Sequence, residues 1–306
     1  MKMRKTFALL VAIVMVFSLS SMAFAADSTL LSMTSTLNGT TYTFETESYT
    51  YTNPVNGQSF TASTALADFP VGTDLSSIPV DITYNGTALK IDGTQVSTSG
   101  SYSGTVSFTG PIVEIEVVQT SGTAVYYASA TAGDFSVSVS INYDTLSAFA
   151  ATETGSYYQR TGYTRNTYMD AVTDDQKFMA EYAIELFSGL NLSAMTQTVS
   201  SGSTPVSALV TYAAARDLTV TDSSDNPITA DTTYVNAIQG VDLNYAGTYT
   251  YYGSSNGSGG WMVSVQRGGV TQYPNVSAGL FKLMPGDVVT WIYTCDLGYD
   301  LGYPML

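Results

Sequence analysis

Residues 283–298 read Leu283-Met284-Pro285-Gly286-Asp287-Val288-Val289-Thr290-Trp291-Ile292-Tyr293-Thr294-Cys295-Asp296-Leu297-Gly298, and they decide how the second half of the chain folds. Pro285-Gly286-Asp287 is a tight turn: proline presets φ, and glycine takes conformations closed to other residues. The turn feeds a β-branched and aromatic run in which Val289, Trp291 and Tyr293 share one face. The spacing predicts a terminal strand that forms the closing edge of a small sheet. The helix that covers this sheet begins upstream. Thr204 followed by Pro205 is an N-cap and first-turn pair, and Val206, Leu209, Val210, Ala213 and Ala214 then recur at helical spacing. Another helix opens at Thr173 or Asp174 and runs through Phe187, with Met179, Tyr182, Ala183 and Leu186 as its stripe. Residues 135–143 alternate as a strand, while 145–170 carry weak order signals.

Before residue 132 the pattern is nearly all strand. Residues 42–46 and 105–108 alternate, and Val113, Ile115 and Val117 face opposite to Ile112, Glu114 and Glu116. Asn53-Pro54, Asn56-Gly57, Asn85-Gly86, Asp92-Gly93, Gly110-Pro111 and Ser121-Gly122 punctuate the strands. Short strands with turns every 8 to 12 residues, a spacing of sandwich type, predict a β-sandwich. The expected fold class is mainly β with an α+β C-terminal part: a sandwich over 27–132, then a small sheet covered by one or two helices over 133–306.

Composition limits function. The 306 residues include 10 Lys and Arg, 25 Asp and Glu, one Cys and no His, for a net charge of −15. Without His there is no imidazole acid–base catalysis and no His-ligated metal. One Cys excludes a disulfide framework within the chain. The acidic balance argues against nucleic acid, where affinity comes from cations on phosphates. Residues 1–25 read as a secretory signal: Lys2, Arg4 and Lys5, then an apolar run over 7–17, then Ala23-Phe24-Ala25. Cleavage after Ala25 removes those three cations and takes the net charge from −15 to −18. The expected location is secreted or at the cell surface, with no transmembrane span once the signal is gone.

Five ordered motifs carry a resemblance: 202–209 (GSTPVSAL), 234–241 (YVNAIQGV), 260–265 (GWMVSV), 273–276 (YPNV) and 283–298. Together they resemble the transcobalamin-like C-terminal domain family of bacterial secreted and surface proteins, which is similar to the small β-domain of transcobalamin and intrinsic factor. The match covers about 133–302. More loosely, Gly72-Thr73-Asp74-Leu75, Phe108-Thr109-Gly110-Pro111 and 122–126 resemble bacterial immunoglobulin-like domains, which implies a spacer or display module. The family resemblance implies a ligand face at Trp261, Met262, Tyr273, Asn275 and Trp291, and cobalamin as an alternative ligand; the other reading is that Trp261 fills the core and the motif around Trp291 serves the fold. The chain has neither the helical barrel that holds the corrinoid in the vitamin carriers nor a His to ligate cobalt. Relatives commonly place a short V-N-G hairpin where this chain has Val265-Gln266-Arg267-Gly268-Gly269, read here as a longer loop. Some relatives pair the cysteine at the Cys295 position with one in the first strand. The corresponding place, near 142–144, has no Cys, so Cys295 is expected as a lone thiol.

The residues leave three functions open. The first is a non-enzymatic protein that binds or displays, its partner a small molecule or another surface protein, in keeping with Tyr, Ser, Gly and Asn loops. The second is a corrinoid or other small-molecule binder, and the third a structural spacer at the surface. A carboxylate enzyme has only poor candidates: Glu181 and Glu185 sit one helical turn apart on a solvated face. Asp296 and Asp300 flank Gly298, where a weak Ca²⁺ site is the alternative reading. Of the lysines, Lys90 is the one to examine for an internal crosslink to Asn.

Overall fold

The computed structural model describes residues 30–52, 59–120, 122–158, 171–242, 259–272, 277–295 and 301. The protein is mainly β, with several sheets and three helices among these residues.

Two sheets enclose the first core. β1 (Leu30–Leu37), β2 (Thr40–Thr43), β5 (Ile78–Tyr84) and β8 (Ser101–Val106) form a four-stranded sheet in the order β2-β1-β5-β8. β3 (Glu45–Thr52), β4 (Ser59–Asp68), β6 (Ala88–Ile91), β7 (Thr94–Ser97), β9 (Val113–Gln119) and β10 (Gly122–Thr131) form a six-stranded one, ordered β3-β4-β10-β9-β6-β7. Alternation decides which side is buried. Val113, Ile115 and Val117 point inward from β9, and Ile78, Val80, Ile82 and Tyr84 from β5, into one apolar cluster. Burying each such side chain stabilises the fold by about 1.5–3 kcal/mol. Asp92-Gly93 joins β6 to β7 with φ of 47° and 76°, both positive as a two-residue hairpin requires. β10 pairs with β9 antiparallel and with β4 parallel.

A second core lies beyond residue 134. β11 (Phe135–Asn142), β12 (Met195–Val199), β15 (Gly260–Arg267), β16 (Val270–Gln272) and β17 (Val288–Thr294) form a five-stranded sheet, ordered β12-β11-β17-β15-β16. A small ribbon of β13 (Val220–Thr221) and β14 (Ala237–Ile238) stands beside it. Helices α1 (Asp144–Ala150), α2 (Asp174–Phe187) and α3 (Pro205–Arg216) bury their apolar sides against one face of the sheet. The expectation that the 288–294 strand closes an edge is overturned. β17 is the middle strand, paired parallel to β11 and antiparallel to β15. A strand whose face carries Val289, Trp291 and Tyr293, each at most 2% exposed, belongs under the cover and not at the rim.

The helix starts follow their caps. Thr204 accepts from the Ser207 N–H while the Ser207 hydroxyl accepts from the Thr204 N–H, with Pro205 at the first helical position. Thr173 and Gln176 make the same reciprocal pair on α2. Thr204→Ala is expected to cost about 1 kcal/mol in chemical denaturation, the usual cost of a lost side-chain cap.

The faces of the helices are less simple. In α2 the buried residues are Ala180, Ala183 and Phe187, whereas Tyr182 is 44% exposed and Met179 half-buried. The stripe is rotated from the one expected. The helix lies closest to α1, and at its end Phe187 meets the Trp261 ring edge-on at 5.8 Å. In α3, Tyr212 is buried and Ala214 is exposed. Helix α1 was not expected. It begins without a side-chain cap from Tyr143; the Asp144 N–H bonds instead to the Asn142 side chain. It is fastened by the fully buried Thr145 hydroxyl, which donates to the Tyr293 carbonyl.

Candidate functional site

Trp261 and Trp291, read as either ligand-facing or core-filling, both point into the second core. Trp261 is 5% exposed and donates its indole N–H to the Val241 carbonyl at 2.7 Å. Its ring packs edge-on against Tyr293 at 5.4 Å as well as against Phe187. Trp291 is 2% exposed, and its buried indole N–H has no hydrogen-bond partner. Met262 lies on the opposite face of the sheet, half-buried, directly across from Ile292. The structure therefore separates Met262 from the two tryptophans by the thickness of the sheet. Cys295 forms no disulfide and is fully buried at the end of β17. Tyr273, Asn275, Asp296, Asp300 and Ala25 lie outside the described residues.

The segment 265–269, read as a longer loop, is a tight hairpin. Arg267 pairs with Val270, so only Gly268 and Gly269 turn, at φ of 57° and 83°. The hairpin positions Arg267, which the sequence reading did not single out. Arg267 and Asp287 are both fully buried and paired fork to fork: Nε to Oδ1 at 2.8 Å and Nη2 to Oδ2 at 2.9 Å. Arg267 Nη2 also donates to the Lys282 carbonyl, and the Met284 N–H donates to Asp287 Oδ2 at 2.9 Å. Burial pushes the Asp287 carboxyl above its ordinary value, against the downward pull of Arg267 and the Met284 N–H. The Pro285-Gly286-Asp287 turn thus supplies a counter-ion as well as a change of direction. The only sequence signal for the pair was an acid and a base at the two ends of apolar strands.

This corner also meets the first core. A Cβ on Gly268 would lie 2.7 Å from Cγ1 of Ile112, and one on Gly286 would lie 3.4 Å from Cβ of Pro111. Lys282 Nζ reaches Glu45 Oε2 at 2.7 Å, which holds its ammonium above the ordinary lysine range. Both ends of that pair are well exposed, so it contributes little. The crossover is short and pinned: the Phe69 N–H bonds to the Thr131 carbonyl and the Gly72 N–H to the Ala132 carbonyl. Gly268→Ala is expected to destabilise by about 1–3 kcal/mol, since it strains a positive φ and drives a methyl into Ile112. Ile112→Ala in the same chain should recover the steric part, read by denaturant titration of the four proteins of the cycle.

The remaining candidates separate clearly. Glu181 and Glu185 are exposed on α2. Lys90 pairs with Glu116 across β6 and β9 at 3.1 Å, and the described contacts place no Asn beside it. Among the described residues no three acidic or cysteine side chains group as metal ligands, and no helix is long and apolar enough to cross a membrane. No family model, curated protein or solved structure matches the chain.

Proposed function

We propose that the protein is a secreted, non-enzymatic surface protein that binds or displays, built from an immunoglobulin-like module followed by a transcobalamin-like module. The observation that carries this reading is the placement of the large aromatics. Trp261, Trp291, Tyr212 and Tyr293 are spent on the core, where Trp261 and Tyr293 also donate hydrogen bonds to main-chain carbonyls. A protein that stacks a flat ligand needs such rings at a cavity wall. A protein that holds a shape needs them inside. The close approach of Gly268 to Ile112 and of Gly286 to Pro111 favours the same reading, because it holds the two β modules against one another.

The first module is read as immunoglobulin-like from its two sheets on one core and from the late strand β10, which pairs both with its neighbour β9 and, in parallel, with the early strand β4. The second is read as transcobalamin-like from the motif series together with a helix cover begun by Thr204-Pro205 over a sheet containing 288–294. Fractionation of the producing cells with N-terminal sequencing tests the assignment. The expected product starts at Ala26 and is recovered from the envelope or the medium. It should elute colourless after incubation with cobalamin and desalting. An unprocessed cytoplasmic chain would refute secretion, and a stoichiometric red complex would replace display by corrinoid binding.

A further inference from the structure

We propose that the outer face of the five-stranded sheet is a self-docking surface through which two copies of this chain associate. All three helices pack on the inner face with Val139, Val289 and Trp291. The outward positions of β11, β12, β15, β16 and β17 carry no Asp, Glu, Lys or Arg. They present short hydroxyls and three apolar side chains: Ser138, Ser140 and Thr290 beside half-buried Met262 and Ile292 and the exposed Val288. Ser140 and Thr290 bond to one another across the parallel pair at 3.3 Å, so the centre is flat and internally satisfied.

The occupant follows from charge. The outward faces of the two sheets of the first core carry acids: Asp81 on the four-stranded sheet, and Glu45, Glu47, Glu114 and Glu116 on the six-stranded one, where Lys282 and Lys90 offset only Glu45 and Glu116. The exposed side of α2 carries Glu181 and Glu185. Two mature chains, each of net charge −18 once the three cations of residues 1–25 are removed from −15, repel through any of those surfaces. The neutral face is where two copies meet without opposing carboxylates. Its size sets the strength. With strands about 4.8 Å apart and a rise of about 3.4 Å per residue, each copy offers roughly 450 Å². A pair then buries about 900 Å², which belongs with small, reversible interfaces.

Salt gives the proposal its sign. The copies approach against their net charge, so screening strengthens the association, whereas pairing between opposite charges would weaken. Sedimentation of the mature chain across concentration, in low and in high salt, is the test. The expected result is a monomer–dimer equilibrium that shifts toward dimer as salt rises. Ser140→Glu and Thr290→Lys, which bring opposite signs to the face, should each return it to monomer, with the fold checked by circular dichroism. If either variant unfolds, Thr196→Glu on the exposed edge of the same face takes its place. A wild-type chain that stays monomeric at every concentration and salt overturns the proposal, as does a dimer that survives charges of both signs.

Discussion

Arg267→Met is expected to remove about 3–5 kcal/mol of folding stability at neutral pH, the scale set by leaving one member of a buried ion pair without its counter-charge. Asp287 would keep the Met284 N–H but lose both guanidinium contacts while fully buried. Its carboxyl already lies above the ordinary range, and loss of Arg267 removes the largest downward pull on it. The linkage has a definite sign. For an acid whose folded-state pKa exceeds the unfolded one, stability is full below the unfolded value and is lost as pH rises through the folded value. The deficit of the variant should therefore shrink as pH falls toward the unfolded carboxylate range, about 4, and be greatest near neutrality. Urea titrations of wild type and Arg267→Met from pH 4 to pH 7 measure it. The double variant Arg267→Met with Asp287→Leu, which leaves no charge buried, should regain much of the loss. A deficit independent of pH would show that packing alone, against Phe281 for example, carries the effect.

Trp291→Ala should cost a similar amount, about 3–5 kcal/mol, because it empties a large volume in the middle of the central strand. The informative comparison is with phenylalanine. The buried indole N–H of Trp291 has no partner, so Trp291→Phe discards an unmet donor and should restore most of what alanine loses. Trp261→Phe behaves differently: it deprives the Val241 carbonyl of its 2.7 Å bond and leaves that oxygen only the longer 3.3 Å bond from the Ile238 N–H. Trp261→Phe should therefore be the more damaging of the two phenylalanine variants, by about 0.5–1.5 kcal/mol, in parallel thermal and denaturant unfolding. Equal costs would place both rings in the core by shape alone.

Local chemistry was legible where a residue's role depends on its neighbours in the chain. The inward row of β9 follows from Val113, Ile115 and Val117 alternating with two glutamates, and the start of α3 from Thr204-Pro205. Helix α1 was obscured because it has only seven residues and its first N–H is satisfied by Asn142, outside the usual cap position. The face of α2 was ambiguous because apolar residues occur on both sides of it. The choice fell to Ala180, Ala183 and Phe187 through a packing partner, Trp261, that lies more than seventy positions away. Strand order was beyond reach for the same reason, since the neighbours of β17 are set by ladders across the whole second half. At the candidate site, residue type pointed to rings that could stack. Only the fold shows that those rings face the helices, while Met262 faces away.

The parallel match of Ser138 with Val288 bears on the order of events in the cell. The strand at the heart of the second sheet leaves the ribosome long after the neighbour it must join, and the β12-β11 and β15-β16 pairs cannot be united into one sheet without it. Until then β11 and β15 have no common partner, and a contact that spans 150 positions is slow to find. A chain arrested before residue 288 would retain its first core and carry a tail that has not yet folded.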